Sequence, residues 1–586
     1  MGLKIVRSFL LTSVAIAFGT GAYAAPMLRL VTSTVGPVSA VAGINGPSQT
    51  VEAYNAGDGT LSLTMTSSVS WIVPTVGTAR ACTSTTNASS CIPLQLGLST
   101  GSLTAASSPY TGVVTVTSSN ANTLDAPQTI TVTVQIGGGV PSSVDVYAAP
   151  GGTREVAFWT NSLINGAGTT TDGNKWLSLV LNGIGSFRFN LPYSTAVPYN
   201  IQIAPQAGNV AGSVYNGNLT ISGSTFSNDN RTVPVTMRVT SQPIAQASTN
   251  QIAVRLAQGE PALAPPFSPG VSLANVGASG SSLVAQTPTV TGQGISYGSG
   301  GLTFDTTGLS PGNYTGAVAL PSNAVNGTVT VPVLFQVLAK SNPWIYYQGV
   351  QDNATFIPGD TVAQGDVAVI KGEQLSFNTL TMGQAPPMST QVADVTVTVN
   401  GEAAPIYYTL PFQIAFQIPV DTQPGVASVQ LTRTDGSASN LASVTVAARA
   451  PKLVPLNGSS WGAIVNQDGS LPVAGAIAGW NTHPAKVGDW LTIYAIGLGP
   501  TNPVVATGQP APSAEPLARL TSTPVINFGG GLFGILATPA YAGLSPTSAG
   551  LYQINVQVPP RTPSGTVLLT AVFPDSVSNA VFIAVQ

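Results

Sequence analysis

The single histidine of the chain is the first residue to test for chemistry, because histidine is the usual general base at neutral pH. His483 lies in the stretch WNTHPAKVGDW. No Gly-x-Ser-x-Gly elbow occurs in a strand-to-helix context to supply a nucleophile for it. One histidine cannot build a multi-histidine zinc site. No Walker loop or dinucleotide fingerprint is evident. We therefore predict no catalytic residue, no metal site and no cofactor.

Carboxylates are the second possible source of chemistry, since a glycosidase needs two that face each other. Most of the aspartates neighbour a glycine or a predicted turn, where the side chain bonds its own backbone. We expect structural roles for them, although a pair from distant parts of the chain stays open. The aspartates considered are Asp305, Asp360, Asp366, Asp394, Asp435, Asp468 and Asp489.

Tryptophans could form a binding surface, because an exposed indole can stack on a sugar ring. Trp71 and Trp176 fall in strand-like repeats, which favours burial in a core. Trp461, Trp480 and His483 lie in or beside predicted loops near the C-terminus. We select these three as the candidate ligand-binding residues.

The two cysteines, Cys82 and Cys91, flank the polar stretch TSTTNASS. A cysteine pair that brackets one loop predicts a local disulfide in an exported protein. A redox or metal pair is the alternative, but the spacing is not Cys-x-x-Cys and no histidine is near. Export itself is predicted from residues 1–24, where Lys4 and Arg7 precede a short apolar run and an Ala-Tyr-Ala cleavage pattern.

Charge is sparse in this chain: charged residues make up 7% of 586 and the net charge is −3. No basic run exists to follow a phosphate backbone, so nucleic acid is excluded as an expected partner. No second apolar stretch of membrane length follows the export signal, so stable membrane insertion is not expected. The sequence leaves the oligomeric state open.

Short alternating strands must position all of these residues. Segments such as TGVVTVTSS and QTITVTVQI place Val or Ile at every second position, and 63 glycines and 46 prolines supply turns. This pattern predicts an all-β chain of tandem immunoglobulin-like antiparallel β-sandwich domains. Internal repeats, including YTGVVTV, YNGNLTI and YTGAVAL, set the boundaries. After the signal peptide we predict domains at 25–138, 139–241, 242–340, 341–449 and 450–586.

The last two domains repeat one order of motifs. AQGDVAVIKGEQL resembles KVGDWLTIYAIGLG, PFQIAFQIP resembles LYQINVQVP, and SNLASVTVA resembles SNAVFIAV. The offsets of 123, 140 and 139 residues indicate a duplicated domain. We interpret Gly-Asp and Ser-Asn as turn formers. For Gln413 and Gln417 we favour a solubilising role on the wet face of a sheet, with a polar-binding stripe as the alternative.

On these motifs, residues 345–586 resemble a C-terminal domain widespread in exported, mostly uncharacterised proteins of Acidobacteria. The first domain, with VSWIVPT and LSTGSLTAASSPYTGVVTVTS, resembles BACON-type immunoglobulin-like modules. Some BACON modules are suggested to bind carbohydrate or mucin. Neither resemblance brings catalytic residues with it.

Together these features predict an exported, non-enzymatic protein, adhesin-like or structural, at the cell surface, outside the cell or in the periplasm. Its expected partner is a polysaccharide or a cell-surface protein. Three alternatives stay open: a dedicated carbohydrate-binding protein with aromatic platforms, a scaffold or filament that assembles through sheet edges, and an unrecognised hydrolase. Rigid domains that space several weak contact surfaces would gain avidity.

Overall fold

The computed structural model describes residues 25–84, 86, 88–104, 109–136, 139–160, 163–181, 197–224, 227–298, 300–456, 459–530 and 534–586. The predicted signal peptide, residues 1–24, lies outside the described residues. The described chain is built from β-strands and turns, with one 3₁₀ turn at Ser227–Asp229. Each of the five predicted domain ranges holds one large hydrophobic core, and a smaller cluster of Ala354, Val367 and Ile496 combines residues of the last two ranges. We call these ranges units 1 to 5.

Unit 1 is a sandwich of two sheets. One sheet has the order β1-β3-β7-β5, with β6 on β7, and the other has the order β2-β9-β8-β4. Its strands are β1 (Leu28–Leu30), β2 (Thr34–Ala40), β3 (Gly46–Asn55), β4 (Leu63–Ser67), β5 (Ile72–Val76), β6 (Arg80–Ala81), β7 (Ser90–Leu98), β8 (Tyr110–Ser118) and β9 (Gln128–Ile136). Strand β9 buries every second residue from end to end, as its alternating sequence predicts.

Units 2 and 3 repeat this plan with fewer paired strands. Unit 2 contains β10 (Val144–Ala148), β11 (Arg154–Thr160), β12 (Asn165–Thr170), β13 (Leu177–Leu181), β14 (Val197–Ile203), β15 (Val214–Ser222) and β16 (Thr232–Val239). Unit 3 contains β17 (Ala245–Ala247), β18 (Ile252–Ala257), β19 (Leu273–Asn275), β20 (Thr289–Thr291), β21 (Ile295–Gly298), β22 (Gly301–Phe304), β23 (Gly312–Leu320) and β24 (Val329–Leu338). Their main sheets have the orders β10-β16-β15-β12 and β18-β24-β23-β20.

Units 4 and 5 carry the larger sheets. Unit 4 contains β25 (Trp344–Asp352), β26 (Val362–Ala363), β27 (Val367–Glu373), β28 (Thr381–Met382), β29 (Gln391–Val392), β30 (Val395–Val399), β31 (Glu402–Ala404), β32 (Ile406–Leu410), β33 (Gln413–Gln417), β34 (Gly425–Arg433) and β35 (Ala442–Ala447). Unit 5 contains β36 (Lys452–Leu453), β37 (Ile464–Asn466), β38 (Trp490–Ile496), β39 (Thr501–Asn502), β40 (Arg519–Leu520), β41 (Val525–Phe528), β42 (Ile535–Ala537), β43 (Tyr541–Leu544), β44 (Tyr552–Gln557), β45 (Gly565–Val572) and β46 (Val581–Val585).

The sheets are antiparallel except at one edge in each of units 1 to 4. There an early strand runs parallel to the last strand of the unit, in the pairs β2/β9, β10/β16, β18/β24 and β26/β35. The sequence periodicity carries no information on this feature, because it is the same in parallel and antiparallel edges.

The repeated Tyr-x-Gly motif of units 1 to 3 is a loop anchor. The hydroxyl of Tyr110 donates to the Thr104 carbonyl at 3.0 Å, and that of Tyr314 donates to the Ser310 carbonyl at 2.9 Å. The Tyr215 hydroxyl accepts from the Val210 backbone at 3.0 Å. Glycine is needed two residues later because a Cβ would lie 2.8 Å from the Thr169 carbonyl oxygen at Gly217 and 2.2 Å from the Thr291 carbonyl oxygen at Gly316. In units 2 and 3 the glycine therefore lets the backbone of the neighbouring strand approach closely.

The duplicated motifs of units 4 and 5 occupy equivalent places in the fold. Strand β27 pairs with β33 so that Val367 faces Gln417, and β38 pairs with β44 so that Trp490 faces Gln557. These pairs are offset by the same 123 and 140 residues as the motifs. The second glutamine of each motif donates to the glycine carbonyl of its own Gly-Asp turn, from Gln417 to Gly365 at 3.1 Å and from Gln557 to Gly488 at 2.7 Å.

Gln413 and Gln417 therefore do not act as solubilising residues, and our interpretation of them is wrong. Gln417 is buried, and its oxygen accepts from the Gly508 backbone of unit 5 at 2.7 Å. Gln413 bonds the Lys371 ammonium and the Tyr408 hydroxyl. Alternation identifies the outward face of a strand, but it does not show that a neighbouring unit covers that face.

The repeated Ser-Asn pair fastens the first strand of each unit. The Asn440 amide accepts from the Ile345 backbone N–H at 2.8 Å and donates to the Ile345 carbonyl at 3.0 Å. The Asn579 amide makes the same two bonds with Leu453, at 2.7 and 2.9 Å. A side-chain amide matches a peptide group as donor and acceptor, so asparagine replaces a strand neighbour here.

The disulfide prediction is confirmed, because Cys82 and Cys91 are bonded and their Cα atoms lie 4.8 Å apart. The loop that they close is also held by Glu52, which accepts from the Thr83 and Ser84 backbones at 3.0 Å and pairs with Arg80 at 2.8 Å. Burial alone would raise the pKa of Glu52, but hydrogen bonds from Ser84 and Thr83 outweigh it and lower the pKa to about 2.

Replacing both cysteines by serine is expected to destabilise unit 1 by about 2–3 kcal/mol, because the unfolded chain regains the freedom of a closed ten-residue loop. Hydrogen exchange measured along β7 would show the loss. Exchange in units 4 and 5 of the same variant is the internal control. A change in β7 below about 0.5 kcal/mol would mean that the Glu52 contacts alone hold the loop.

Candidate functional site

His483 lies in a small polar cluster of unit 5. Its Nε2 atom is 2.8 Å from Ser470 Oγ and 2.8 Å from Asp468 Oδ2, and its Nδ1 atom is 2.9 Å from the Pro484 carbonyl. Ser470 is buried, and its hydroxyl donates to Asp468 Oδ1 at 2.6 Å. A catalytic triad would place the serine and the aspartate on opposite ring nitrogens. Here both lie on Nε2, so the geometry is that of a loop clamp.

The same contacts favour the charged form of the imidazole. The hydrogen bond with Asp468, followed by the one with the Pro484 carbonyl, raises the pKa of His483. The bond with His483 in turn lowers the pKa of Asp468. These bonds connect the His483 segment to the Asp468–Ser470 turn, so the cluster holds two segments of a loop together.

The two candidate tryptophans are separate from this cluster. Trp461 is half-buried and packs edge-on against Phe582, with ring centroids 6.5 Å apart. Trp480 is 52% exposed and lies in the turn closed by its backbone bond to Ile477. Within the described ranges, no ring contact or hydrogen bond joins the side chains of Trp461, Trp480 and His483. A ligand site made of these three residues remains a prediction, and Trp480 is its exposed member.

The structural roles expected for Trp71 and Trp176 are confirmed. Both are buried in the cores of units 1 and 2. The Trp176 indole N–H donates to Asp172 at 3.0 Å, and Asp172 also accepts from the Asn209 amide at 2.7 Å. The turn TTDGNKW thus uses its aspartate to satisfy a buried indole.

Several of the aspartates considered above also serve turns. Asp305 accepts from the Thr307 backbone at 2.8 Å, and Asp435 accepts from the Ser437 backbone at 3.0 Å. Asp366 accepts from the Ala363 and Val367 backbones at 3.0 and 2.9 Å. Across the described part of the chain, no group of three or more His, Cys, Asp or Glu side chains is placed to hold a metal ion.

A cleft of about 320 Å³ opens between units 3 and 4, which the sequence did not indicate. Arg255 of unit 3 pairs with Glu373 of unit 4 at 3.1 Å, and the Tyr346 hydroxyl donates to the same Glu373 oxygen at 3.0 Å. Phe267 and Phe412 meet edge-on at its mouth, with centroids 5.8 Å apart. The cleft is therefore a joint in which both units supply charged and aromatic groups.

Glu260 is the buried acid of this joint. Its carboxylate accepts from the Ala257 backbone at 2.9 Å, and Glu373 and Arg433 are the charged groups whose fields act on it. Burial, helped by the negative charge of Glu373, raises the pKa of Glu260 to about 7. The folded joint therefore holds a proton on Glu260 between about pH 4.5 and 7, where the unfolded chain has lost it.

From this shift we expect the stability of unit 3 to fall as the pH rises from about 4.5 to about 7, by about 3 kcal/mol in total. Glu260→Gln should remove this component, because glutamine does not titrate. Hydrogen exchange of β18 at pH 5 and pH 8, after correction for the intrinsic exchange rate, would measure it in both proteins. A native slope equal to that of Glu260→Gln would contradict the expectation.

Contacts between units extend beyond this cleft. Asp125 of unit 1 accepts from the Ser443 backbone of unit 4 at 2.9 Å and from its hydroxyl at 2.8 Å. The Asp125 backbone N–H donates to the Leu441 carbonyl at 2.8 Å. Arg29 pairs with Asp125 and stacks 5.1 Å over the Tyr347 ring. Units 1 and 4 are thus joined, although about 200 residues of units 2 and 3 lie between them.

The other contacts complete a closed circuit of four units, which we call the four-unit circuit. Strand β2 of unit 1 contacts β11 of unit 2. The Arg154 guanidinium of unit 2 donates to Gln246 of unit 3 at 3.1 Å, and the Arg255–Glu373 pair joins unit 3 to unit 4. Unit 5 then packs on unit 4, where the Val420 backbone donates to Thr507 at 3.0 Å.

Sequence signals for these joints are weak. Asp125 has a positive φ of 59°, which is unusual for a residue other than glycine, but sequence does not reveal φ. One signal was accessible: the first copy of the duplication has Phe412 and Ala415 where the second has Tyr552 and Asn555. Such differences between the two copies indicate that equivalent sheet faces contact different neighbouring units.

No helix in the part of the chain that the structure describes has the length and apolar character needed to cross a bilayer. No protein-family model matches the sequence, and no curated protein matches it. The resemblances to the acidobacterial domain and to BACON modules therefore stay predictions.

Solved structures resemble the chain at low sequence identity. SGBP-B of the Bacteroides ovatus mixed-linkage glucan utilization locus, solved with a mixed-linkage heptasaccharide, is 14% identical over 58% of this chain and 70% of that one, with a TM-score of 0.20. The N-terminal four Ig domains of Dscam1 are 12% identical over 72% and 98%, with a TM-score of 0.21. Drosophila N-cadherin EC1-4 is 9% identical over 71% and 99%, with a TM-score of 0.19. The chain itself is an all-β tandem of immunoglobulin-like β-sandwich units.

Proposed function

We propose that this protein is an exported, non-enzymatic attachment protein that presents its β-sandwich units in a fixed arrangement to a polysaccharide or a cell-surface protein. The observation that carries the proposal is the four-unit circuit. Its Asp125 contact joins distant parts of the chain through a buried carboxylate. Burying a carboxylate has a large desolvation cost, so we expect such a contact where the relative position of the two units matters.

A fixed arrangement has a direct effect on binding. Several weak sites held at constant spacing bind a repetitive surface with much higher avidity than the same sites on flexible linkers. The clamp geometry of Ser470 and His483 and the turn roles of the aspartates support a non-catalytic role. The disulfide supports an oxidising location.

The proposal is tested with residues 25–586 and envelope material from the producing cell. We expect the chain to sediment with the envelope and to leave a panel of polysaccharides and proteins chemically unchanged. The Asp125→Ala chain is the matched variant, because it keeps every unit but loosens their arrangement, and it should be retained less well. Turnover of any substrate that disappears on one Asp→Ala change would overturn the non-enzymatic role. Failure to bind the envelope would overturn attachment.

A further inference from the structure

One sheet face of unit 5 differs from its duplicated counterpart in unit 4. In unit 4 this face meets unit 5: Val367 packs with Ile496, and Gln417 accepts from the Gly508 backbone. Val367, Gln417 and the neighbouring Ala415 are all buried. In unit 5 the equivalent positions are Trp490, Gln557 and Asn555, by the shared strand register. Trp490 is 40% exposed, Gln557 is exposed and Asn555 is half-exposed. The same face thus serves a joint in one copy and is open in the other.

The open face surrounds a shallow hollow of about 450 Å³. Trp490, Arg519, Tyr541, Gln553 and Asn555 are among the residues that line it. They come from β38, β40, β43 and β44, which are neighbours in one sheet. The hollow is therefore supported by strands rather than by loops, and its volume falls within the range of about 300–1,000 Å³ that is usual for small-molecule sites.

The polar side chains of the hollow are held in one orientation. Ser545 donates to the Gln553 oxygen at 3.3 Å, and the Gln553 amino group donates to the Asn555 oxygen at 2.9 Å. Thr492 donates to the same Asn555 oxygen at 3.3 Å. Within the described residues, the Asn555 amino group donates no hydrogen bond. The chain of bonds therefore ends in a fixed donor that is still available to a ligand.

The charges of the hollow are already compensated. Arg519 pairs with Glu515 at 2.7 Å and stacks 5.1 Å over the Tyr541 ring. A charged ligand would have to compete with this pair, whereas a neutral ligand would not. An exposed indole beside fixed amides suits a molecule with an apolar C–H face and a rim of hydroxyls, because the ring stacks on the face and the amides bond the rim.

From these observations we infer that the hollow beside Trp490 binds a neutral saccharide, with Trp490 as the stacking platform and Asn555 as a hydroxyl-bonding residue. The inference rests on the proposed attachment function, for which it names a ligand class and a site. It differs from the sequence-based prediction, which placed the site at Trp461, Trp480 and His483.

The test uses the chain of residues 25–586 and affinity electrophoresis in gels that contain laminarin, xyloglucan, galactomannan or arabinoxylan, with alginate as the anionic arm. We expect at least one neutral polysaccharide to retard the chain. Trp490→Ala should weaken this binding at least tenfold, Asn555→Ala about threefold or more, and Trp490→Tyr less than Trp490→Ala. Tyr297→Ala is the matched control, because it removes an aromatic ring of similar exposure, 38% against 40% for Trp490, from unit 3, and it should change the affinity less than twofold. Trp480→Ala tests the site predicted from the sequence.

Three results would overturn the inference: retardation by alginate alone, no retardation by any of these polysaccharides, or equal binding by the native chain and Trp490→Ala. Loss of binding only in Trp480→Ala would move the site to the turn at Trp480 and would likewise overturn it. Envelope retention measured in parallel separates the two proposals. Retention without polysaccharide binding leaves attachment standing and removes the saccharide site, whereas loss of both removes the attachment role as well.

Discussion

Replacing Asp125 by alanine is expected to release unit 1 from unit 4 and to expand the molecule. The substitution removes the acceptor of the Ser443 bonds and leaves Arg29 without its ion-pair partner. Breaking a buried pair from one side typically costs about 3–5 kcal/mol. Small-angle X-ray scattering would report the release as a larger radius of gyration and a longer maximum dimension.

The matched control for this prediction is Asp145→Ala. Asp145 also pairs with an arginine, Arg238 at 2.9 Å, but both side chains are well exposed and both belong to unit 2. Its loss should leave the scattering curve unchanged, because exposed ion pairs contribute little. An unchanged curve for Asp125→Ala as well would show that other contacts are sufficient to hold units 1 and 4 together.

The second large effect is expected from the duplicated asparagines. Asn440→Ala leaves the N–H and the carbonyl of Ile345 without their partners, and Asn579→Ala does the same to Leu453. Ile345 and Leu453 are both fully buried. Two unsatisfied backbone groups cost about 2–4 kcal/mol. We expect each substitution to destabilise its own unit by that amount.

Hydrogen exchange followed by mass spectrometry distinguishes the two variants. Asn440→Ala should accelerate exchange in β25 and leave β36 unchanged, and Asn579→Ala should do the reverse. Each variant is thus the control for the other. Equal acceleration in both units would mean that units 4 and 5 open together as one cooperative body, and protection unchanged in both would show that the asparagine bonds are dispensable.

Sequence reasoning succeeded where a property is local. Strand periodicity in β9, the disulfide between Cys82 and Cys91 and the burial of Trp71 and Trp176 all depend on residues close in sequence or on composition. The duplication was also accessible, because Gly-Asp, Gln and Ser-Asn bond within a single unit and must recur together. The all-β tandem architecture follows from these local rules.

What the sequence could not supply is the set of contacts between units. Asp125 and Ser443 are 318 residues apart and carry no shared motif. Gln417 has the alternation of an outward residue, yet it is buried and accepts a hydrogen bond from the Gly508 backbone of unit 5. Trp490 is not among the three candidate binding residues selected from the sequence, since its exposure depends on the open face of unit 5. Contacts between units depend on side chains at the surfaces of the units, and these side chains do not recur at a regular spacing in the sequence.

The four-unit circuit has a mechanical consequence. A pulling force applied between unit 1 and unit 5 reaches unit 4 directly through the Asp125 contact, so units 2 and 3, which lie on the longer path, carry less of the load while that contact holds. When the Asp125 contact breaks, units 2 and 3 align with the force, and the molecule lengthens without the unfolding of any sandwich. A protein that tethers a cell under flow would gain in this way a reversible extension that protects its folded units from tension.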